Sequence, residues 1–150
     1  AWLLTTDRDS YQLASEKITI LTPQRGTPEL ARIGPLQVVE HFGVLPEQVP
    51  DFKALSGDAS DKIPGLPGIG PKTAAAMLLQ SGTLEKALAG WKKPEQVELA
   101  MKFREIARMK PEVKVELPKG NADWKAGGDA LRDLGANNLA DRLASLPPAE

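Results

Sequence analysis

The sequence predicts an α/β chain that is mainly helical: the end of a parallel-sheet core, followed by a helical region built around a glycine-proline hairpin. Three observations predict it. Short apolar runs occur only near the start, at Trp2–Thr6 and Ile18–Leu21. From Pro35 onward the apolar residues recur at helical spacing between Gly and Pro breaks. Aromatic content is 5%, thin for a strand-rich architecture.

Taken in order, Trp2-Leu3-Leu4 reads as a buried strand, with Thr5-Thr6-Asp7-Arg8-Asp9 at its carboxyl end. Asp7 and Asp9 are two apart, so on a strand their side chains share a face. Either could instead cap a helix beginning near Ser10. Ile18–Leu21 is a second strand, and TPQRGTPEL after it reads as a loop. Pro35–Phe42 is a helix ended by Gly43, and its lone His41 reads as a surface or packing residue. Pro46–Leu55 is the next helix. If it continues through Asp58 and Asp61, three apart, those carboxylates face one way; a turn role for Asp58 is the plainer alternative.

The segment Ala54–Ala76, ALSGDASDKIPGLPGIGPKTAAA, joins these aspartates to the hairpin. Gly65, Gly68 and Gly70 tolerate positive φ and close backbone approach. Pro71 suits the first position of a helix, and Lys72–Gln80 is strong helix former up to a stop at Gly82. Leu66 and Ile69 are the apolar plugs. Free N–H groups at the start of such a helix attract phosphate oxygens, and Lys72 adds a point charge. The stretch LPGIGPKTA resembles the helix-hairpin-helix element, which grips DNA backbones without reading bases.

Downstream, Thr83–Ala89 reads as a short helix capped by Thr83. Glu95–Lys110 reads as a longer one, with Val97, Ala100, Met101, Ile106 and Ala107 at core spacing. Glu112–Leu117 alternates and reads as extended, Asn121–Gly128 as a loop, and two short helices follow around Gly135. Leu146–Glu150 looks like the start of a linker. Trp2, Trp91 and Trp124 are too scattered for a base-stacking platform and read as packing residues.

Like-charged carboxylates gathered in one place repel unless a cation neutralises them. With no Cys in the chain and His41 as the one imidazole, oxygen ligands point to Mg²⁺ or Mn²⁺ rather than zinc. The absence of Cys also removes disulfides, iron–sulfur clusters and thiol catalysis, and is compatible with a reducing cytoplasm. No run approaches a membrane span. The 150 residues suffice for one domain, and the net charge of −1 is unevenly spread. Residues 1–85 carry 7 basic and 10 acidic groups, residues 86–119 carry 9 and 5, and residues 120–150 carry 3 and 5. An acidic front suits a metal site. The basic middle, including Lys92, Lys93, Lys102, Arg104, Arg108 and Lys110, suits either a duplex track or a solvated helix face.

TTDRDSYQLASEKITIL, then HFGVLPEQVPDFKALSGDASDKIPGLPGIGPKTA, resembles the second half of the 5′-nuclease domain of bacterial DNA polymerase I, a relative of flap endonucleases. The resemblance runs from Leu3 to about Leu88 and, more weakly, to about Leu146. It implies that Asp7, Asp9, Asp58 and Asp61 supply carboxylates to a two-metal Mg²⁺ or Mn²⁺ site. It implies a helical DNA clamp over Gly65–Thr73, with K⁺ held by backbone carbonyls at Gly65, Leu66 and Ile69, and DNA met by Gly68, Gly70, Lys72 and Thr73. The implied reaction is hydrolysis of a phosphodiester near a 5′ end or flap junction, on double-stranded and flapped DNA, in a bacterial cytoplasm at the nucleoid. The implied organisation is residues 1–49 as the end of the α/β core, 50–90 as the hairpin region, 91–146 as a helical subdomain and 147–150 as a linker. The family's domain opens with a further aspartate-bearing strand, more acidic ligands and a basic helical arch, none of which is in this sequence. The expectation is therefore a portion that binds DNA, is inactive alone, and is completed by a missing N-terminal half, with a polymerase domain as an open further partner.

Two other classes compete. DNA glycosylases share the hairpin, but they want an aspartate shortly downstream and many carry four cysteines. Nothing acidic lies between Gly90 and Pro94, and GDASD would be left unexplained. A non-catalytic DNA-binding module, with the aspartates only capping helices, stays open for the isolated chain; a response to K⁺ and DNA but hardly to Mg²⁺ or Mn²⁺ would mark it.

Overall fold

The computed structural model describes residues 1–116 and 123–146. The chain divides into two compact units, Ala1–Pro111 and Glu112–Glu150. The first begins with a three-stranded sheet in the order β1 (Trp2–Leu4), β2 (Thr19–Pro23), β3 (Leu30–Ile33). β1 pairs parallel with β2, with Leu3 opposite Ile20, and β2 pairs antiparallel with β3, with Ile20 opposite Ile33. Leu3, Ile20 and Ile33 thus face the core together, and Ile20 is fully buried.

The strand β3 lies at the end of the stretch read as a loop. Its alternation is short and half-exposed, too weak beside Pro28 and Gly26 to stand out, and its pairing with β2 makes it a strand. β1 ends at Leu4, two residues before the predicted end, because Asp7 folds the chain into a 3₁₀ turn, Arg8–Leu13. Trp2, expected to pack, is 61% exposed with the Arg32 guanidinium over its ring.

Helix α1 (Pro35–Phe42) closes on Gly43 at φ +73, as its sequence predicts. Instead of one helix from Pro46, a 3₁₀ turn (Pro46–Gln48) leads into α2 (Val49–Ser56). From Val49 to Leu55 every α2 residue is buried, because the 3₁₀ turns, α3 (Pro71–Ser81) and α5 (Pro94–Ala107) surround it. Two charges therefore lie inside, Asp51 and Lys53. Two apart on a helix, they point to different sides. Asp51 accepts the N–H of Leu84, the first residue of α4 (Leu84–Ala87), at 2.9 Å, and lies 3.7 Å from Arg104 of α5. Lys53 points to the carboxylates described below.

α5 stops at Ala107 rather than Lys110, since Arg108 turns extended and Gln12 bridges Ala107 and Met109. Ala100, Phe103 and Ala107 form its buried stripe, whereas Ile106, expected in the core, is 67% exposed: at 3.6 residues per turn it lies about a quarter-turn round the helix from the centre of that stripe. Val113 and Val115 are exposed and, among the described residues, pair with no strand, and Leu117 lies outside the described residues.

In the second unit α6 (Trp124–Asp133) and α7 (Asn137–Ala144) pack on each other around Gly135. Gly127 and Gly128, read as loop residues, lie inside α6. A Cβ at Gly127 would sit 2.9 Å from Leu143, and one at Gly128 3.4 Å from the Ala140 carbonyl, so these glycines admit α7 rather than break the helix. The linker residues 147–150 lie outside the described residues.

Candidate metal centre and DNA-clamp hairpin

α2 ends at Gly57, φ +81, and does not continue through the aspartates. Instead Asp58 and Ile63 exchange backbone hydrogen bonds of 2.8 and 2.9 Å and close a tight loop. Inside it Asp58 Oδ1 accepts the Ser60 N–H at 2.9 Å and the Ser60 hydroxyl, an Asx turn. Asp58 and Asp61 therefore share a side through loop closure rather than helical spacing.

Two glycines make this possible. A Cβ on Gly65, φ +70, would lie 2.4 Å from the Gly57 nitrogen, and one on Gly57 would lie 2.7 Å from the Ile63 carbonyl oxygen. The end of α2 and the hairpin thus touch backbone to backbone, locked by Leu66 N–H on the Leu55 carbonyl at 2.8 Å. Leu66 and Ile69 are buried as plugs.

Asp9 joins the loop from the first 3₁₀ turn. Carboxylate oxygens of Asp9, Asp58 and Asp61 lie within 4.8 Å of one another. Asp7 is outside this group: its carboxylate accepts the Asp9 N–H at 2.9 Å as the turn's N-cap, the alternative its sequence left open. The shared strand face predicted for Asp7 and Asp9 is absent because the strand has already ended.

The residue that sequence reasoning missed is Lys53. Its ammonium hydrogen-bonds Asp9, lies 2.5 Å from Asp58 and 3.4 Å from Asp61, and the side chain is 4% exposed. The available signal was a lysine inside the apolar run Phe52–Leu55, since lysine is almost never buried unpaired. Burial pushes the Asp9 carboxyl above its ordinary value, only partly offset by Lys53. Burial also acts on Asp58, but hydrogen bonds from Lys53 and Ser60 outweigh it and hold that carboxyl at about 2. Burial would lower the Lys53 ammonium, yet Asp58 and Asp9 raise it instead. A cleft of about 380 Å³ opens beside this cluster, walled by Arg8, Phe42, Phe52, Lys53 and Ser60. His41 is not at the cluster; it packs edge-on against Tyr11 and Phe42, and burial, then Arg8, lowers its pKa. Three oxygen donors so close, partly open to solvent, fit a hard divalent ion.

On the hairpin, Gly68 takes φ +82, whereas Gly70 is the extended N-cap of α3 at φ −92 and needs no positive φ. Among the described residues the N–H groups of Gly68, Gly70, Lys72 and Thr73 donate to no protein acceptor, and all four residues are exposed. The carbonyls of Gly65 and Ile69 likewise accept no backbone N–H, while that of Leu66 accepts from Ile69 at 3.1 Å. Carboxylates and open amides thus occupy the two ends of one segment, an arrangement that can hold a cation beside a phosphate backbone.

A hairpin of this kind attached to a carboxylate cluster defines a class of nucleases, and the comparisons agree. The 5′-3′ exonuclease family, C-terminal SAM fold, matches residues 44–126, more than half of the chain, and the chain belongs to that family. The family is one of metal-dependent 5′-3′ exonucleases and flap endonucleases. The chain is 50% identical over 82 residues to DNA polymerase I of Mycobacterium bovis, covering 55% of this chain and 9% of that protein. It is 39% identical over 159 residues to DNA polymerase I of Bacillus caldotenax, covering 95% of this chain and 18% of that protein. It therefore spans less than a fifth of the length of these relatives. Among solved structures, a bacteriophage T5 flap endonuclease, in a pseudo-enzyme–product complex with DNA and metal ions, shares the fold with a TM-score of 0.59 at 22% identity. That match covers 95% of this chain and 49% of the other. Among the described residues no helix is long and apolar enough to cross a membrane.

Proposed function

We propose that this chain forms the DNA-clamping and metal-holding part of a structure-selective 5′ nuclease that hydrolyses phosphodiesters near a 5′ end or flap junction. The observation that carries the proposal is the convergence of Asp9, Asp58 and Asp61 at one end of a segment whose other end presents unpaired backbone amides. Asp9, Asp58 and Asp61 would hold Mg²⁺ or Mn²⁺, with Asp7 two residues away as a further ligand. Bound there, such ions would supply Lewis-acid stabilisation of phosphoryl oxygens and lower the pKa of a bound water. The Gly68, Gly70, Lys72 and Thr73 N–H groups would bind a phosphate of the duplex. K⁺ at the carbonyls of Gly65, Leu66 and Ile69 would screen that phosphate from the carbonyl dipoles. Lys53 holds Asp9, Asp58 and Asp61 close together before a divalent ion arrives, and its charge is also placed to meet a phosphate entering the cleft.

Lys53 also favours a second reading, a non-catalytic DNA-binding module, because it already neutralises much of the cluster. The test is binding and cleavage of a 5′-flap DNA in K⁺, with and without Mn²⁺, followed by anisotropy and gel analysis. The nuclease reading expects flap binding that responds to Mn²⁺ in the wild type and not in D58N/D61N. Binding indifferent to Mn²⁺ supports the plain module, and no binding overturns both.

A further inference from the structure

We propose that the cavity walled by Pro67, Trp91, Lys92, Lys93 and Gln96 is a second phosphate subsite, taking the sugar–phosphate of the strand that the hairpin amides hold. This rests on the DNA-binding reading above. The cavity has a volume of about 360 Å³ and is also lined by Gly90. Pro67 belongs to the hairpin and immediately precedes Gly68, whose N–H is open, so the cavity begins one residue from the clamp.

The structure separates the basic residues of the middle segment into two sets. Arg104 is spent on Glu85 at 2.5 Å and on Asp51, Lys102 on Glu98 at 2.7 Å, and Arg108 on Glu105 at 3.5 Å. Lys92 and Lys93 are exposed and, among the described residues, form no ion pair. Lys86, Lys110 and Lys114 are likewise exposed and unpaired among the described residues, so Lys92 and Lys93 are set apart by lining the cavity beside the hairpin.

The wall is fixed rather than mobile. The Trp91 N–H donates to the Leu88 carbonyl at 3.0 Å and its indole Nε1 to Gln96 Oε1 at 2.9 Å, so the ring is held from both ends. That second bond uses the Gln96 oxygen and leaves its amide N–H groups to donate. Lys93 is the N-cap of the 14-residue helix α5, so the positive end of that helix adds to the two ammonium charges. Two cations, amide donors and a flat apolar wall of Trp91 and Pro67 match a phosphate with its sugar attached, and the cavity is larger than a bare anion needs.

The experiment measures affinity of the whole chain for a fluorescein-labelled duplex with a 5′ overhang between 50 and 200 mM salt. Each phosphate contact on duplex DNA contributes about 0.9 to the slope of log affinity against log salt. K92A/K93A is expected to lower the slope by about 1.8, while K17A/K110A, which removes the same charge elsewhere, moves it by less than half as much. Equal slopes for the two double variants, or no change in K92A/K93A, would overturn the subsite. In W2F/W124F, where Trp91 is the remaining indole, DNA is expected to shift the emission with the same midpoint as the anisotropy; unchanged emission also overturns it. If the wild type binds and G68V abolishes binding while K92A/K93A is silent, the hairpin stands and the subsite falls. A wild type that binds no DNA removes both.

Discussion

The ammonium of Lys53 lies 2.5 Å from Oδ2 of Asp58, across the end of α2, and also reaches Asp9 and Asp61. A lysine thus occupies the position proposed for the divalent cation. Replacing it by methionine keeps the stem's apolar packing and removes the charge. Three carboxylates then face one another uncompensated, and K53M is expected to lose about 2 kcal/mol of stability without metal, less than a fully buried pair costs because the aspartates are partly solvated. Mn²⁺ should bind the variant more tightly and return the lost stability, read as a metal-dependent shift in Tm. A K53M protein as stable as the wild type, with unchanged Mn²⁺ affinity, would remove Lys53 from the site.

Asp58 and Asp61 are placed by a closed loop, so their roles can be separated from the fold. In D58N the amide oxygen still accepts from Ser60, and the loop should survive. D58N/D61N is expected to lower Mn²⁺ affinity by more than the roughly 10–100-fold that loss of an outer-shell partner costs, with DNA affinity nearly unchanged. Isothermal titration with Mn²⁺ and anisotropy with DNA check the two halves. Parallel loss of both would count against metal ligation.

The three hairpin glycines are expected to respond unequally to alanine. At Gly65 a Cβ meets backbone at 2.4 Å, which nothing nearby can relieve, so G65A should cost about 4 kcal/mol or fail to fold. At Gly68 the space is open and only φ +82 is strained, so G68A should cost about 1 kcal/mol. At Gly70 neither applies, and G70A should fall within about 0.5 kcal/mol of the wild type. Urea unfolding of the three variants orders them; equal costs would mean that the glycines serve the hairpin in a common way.

Much of this was legible in the residues, and the failures share a cause. The helix bounded by Pro71 and Gly82, the cap at Gly43 and the plugs Leu66 and Ile69 follow from local rules and stand in the structure. What could not be read was closure at a distance. β3 exists through its pairing with β2, Gly127 and Gly128 are helical because α7 approaches them, and Asp58 meets Asp61 through a bridge to Ile63. Lys53 is the clearest case: its sequence neighbours say only that it is odd, and its partner Asp9 lies 44 residues away.

Asp51, on another side of α2 from Lys53, makes a pH prediction. Burial pushes its carboxyl above the ordinary 3.8, with the Leu84 N–H and Arg104 only partly offsetting it. A carboxyl raised on folding is protonated in the folded state at a pH where the unfolded chain has already lost that proton. Its contribution is therefore most favourable below 3.8, declines as pH rises through the raised folded value, and is constant above it. In D51N the amide oxygen can still accept from Leu84, but no proton is exchanged. Measured by urea unfolding from pH 4 to 6, the wild type should lose stability relative to D51N as pH rises, then run parallel to it near neutrality. The comparison isolates this group, since every other carboxylate is common to both proteins. Curves parallel throughout would mean that Asp51 titrates alike in both states, and that Leu84 and Arg104 offset its burial fully.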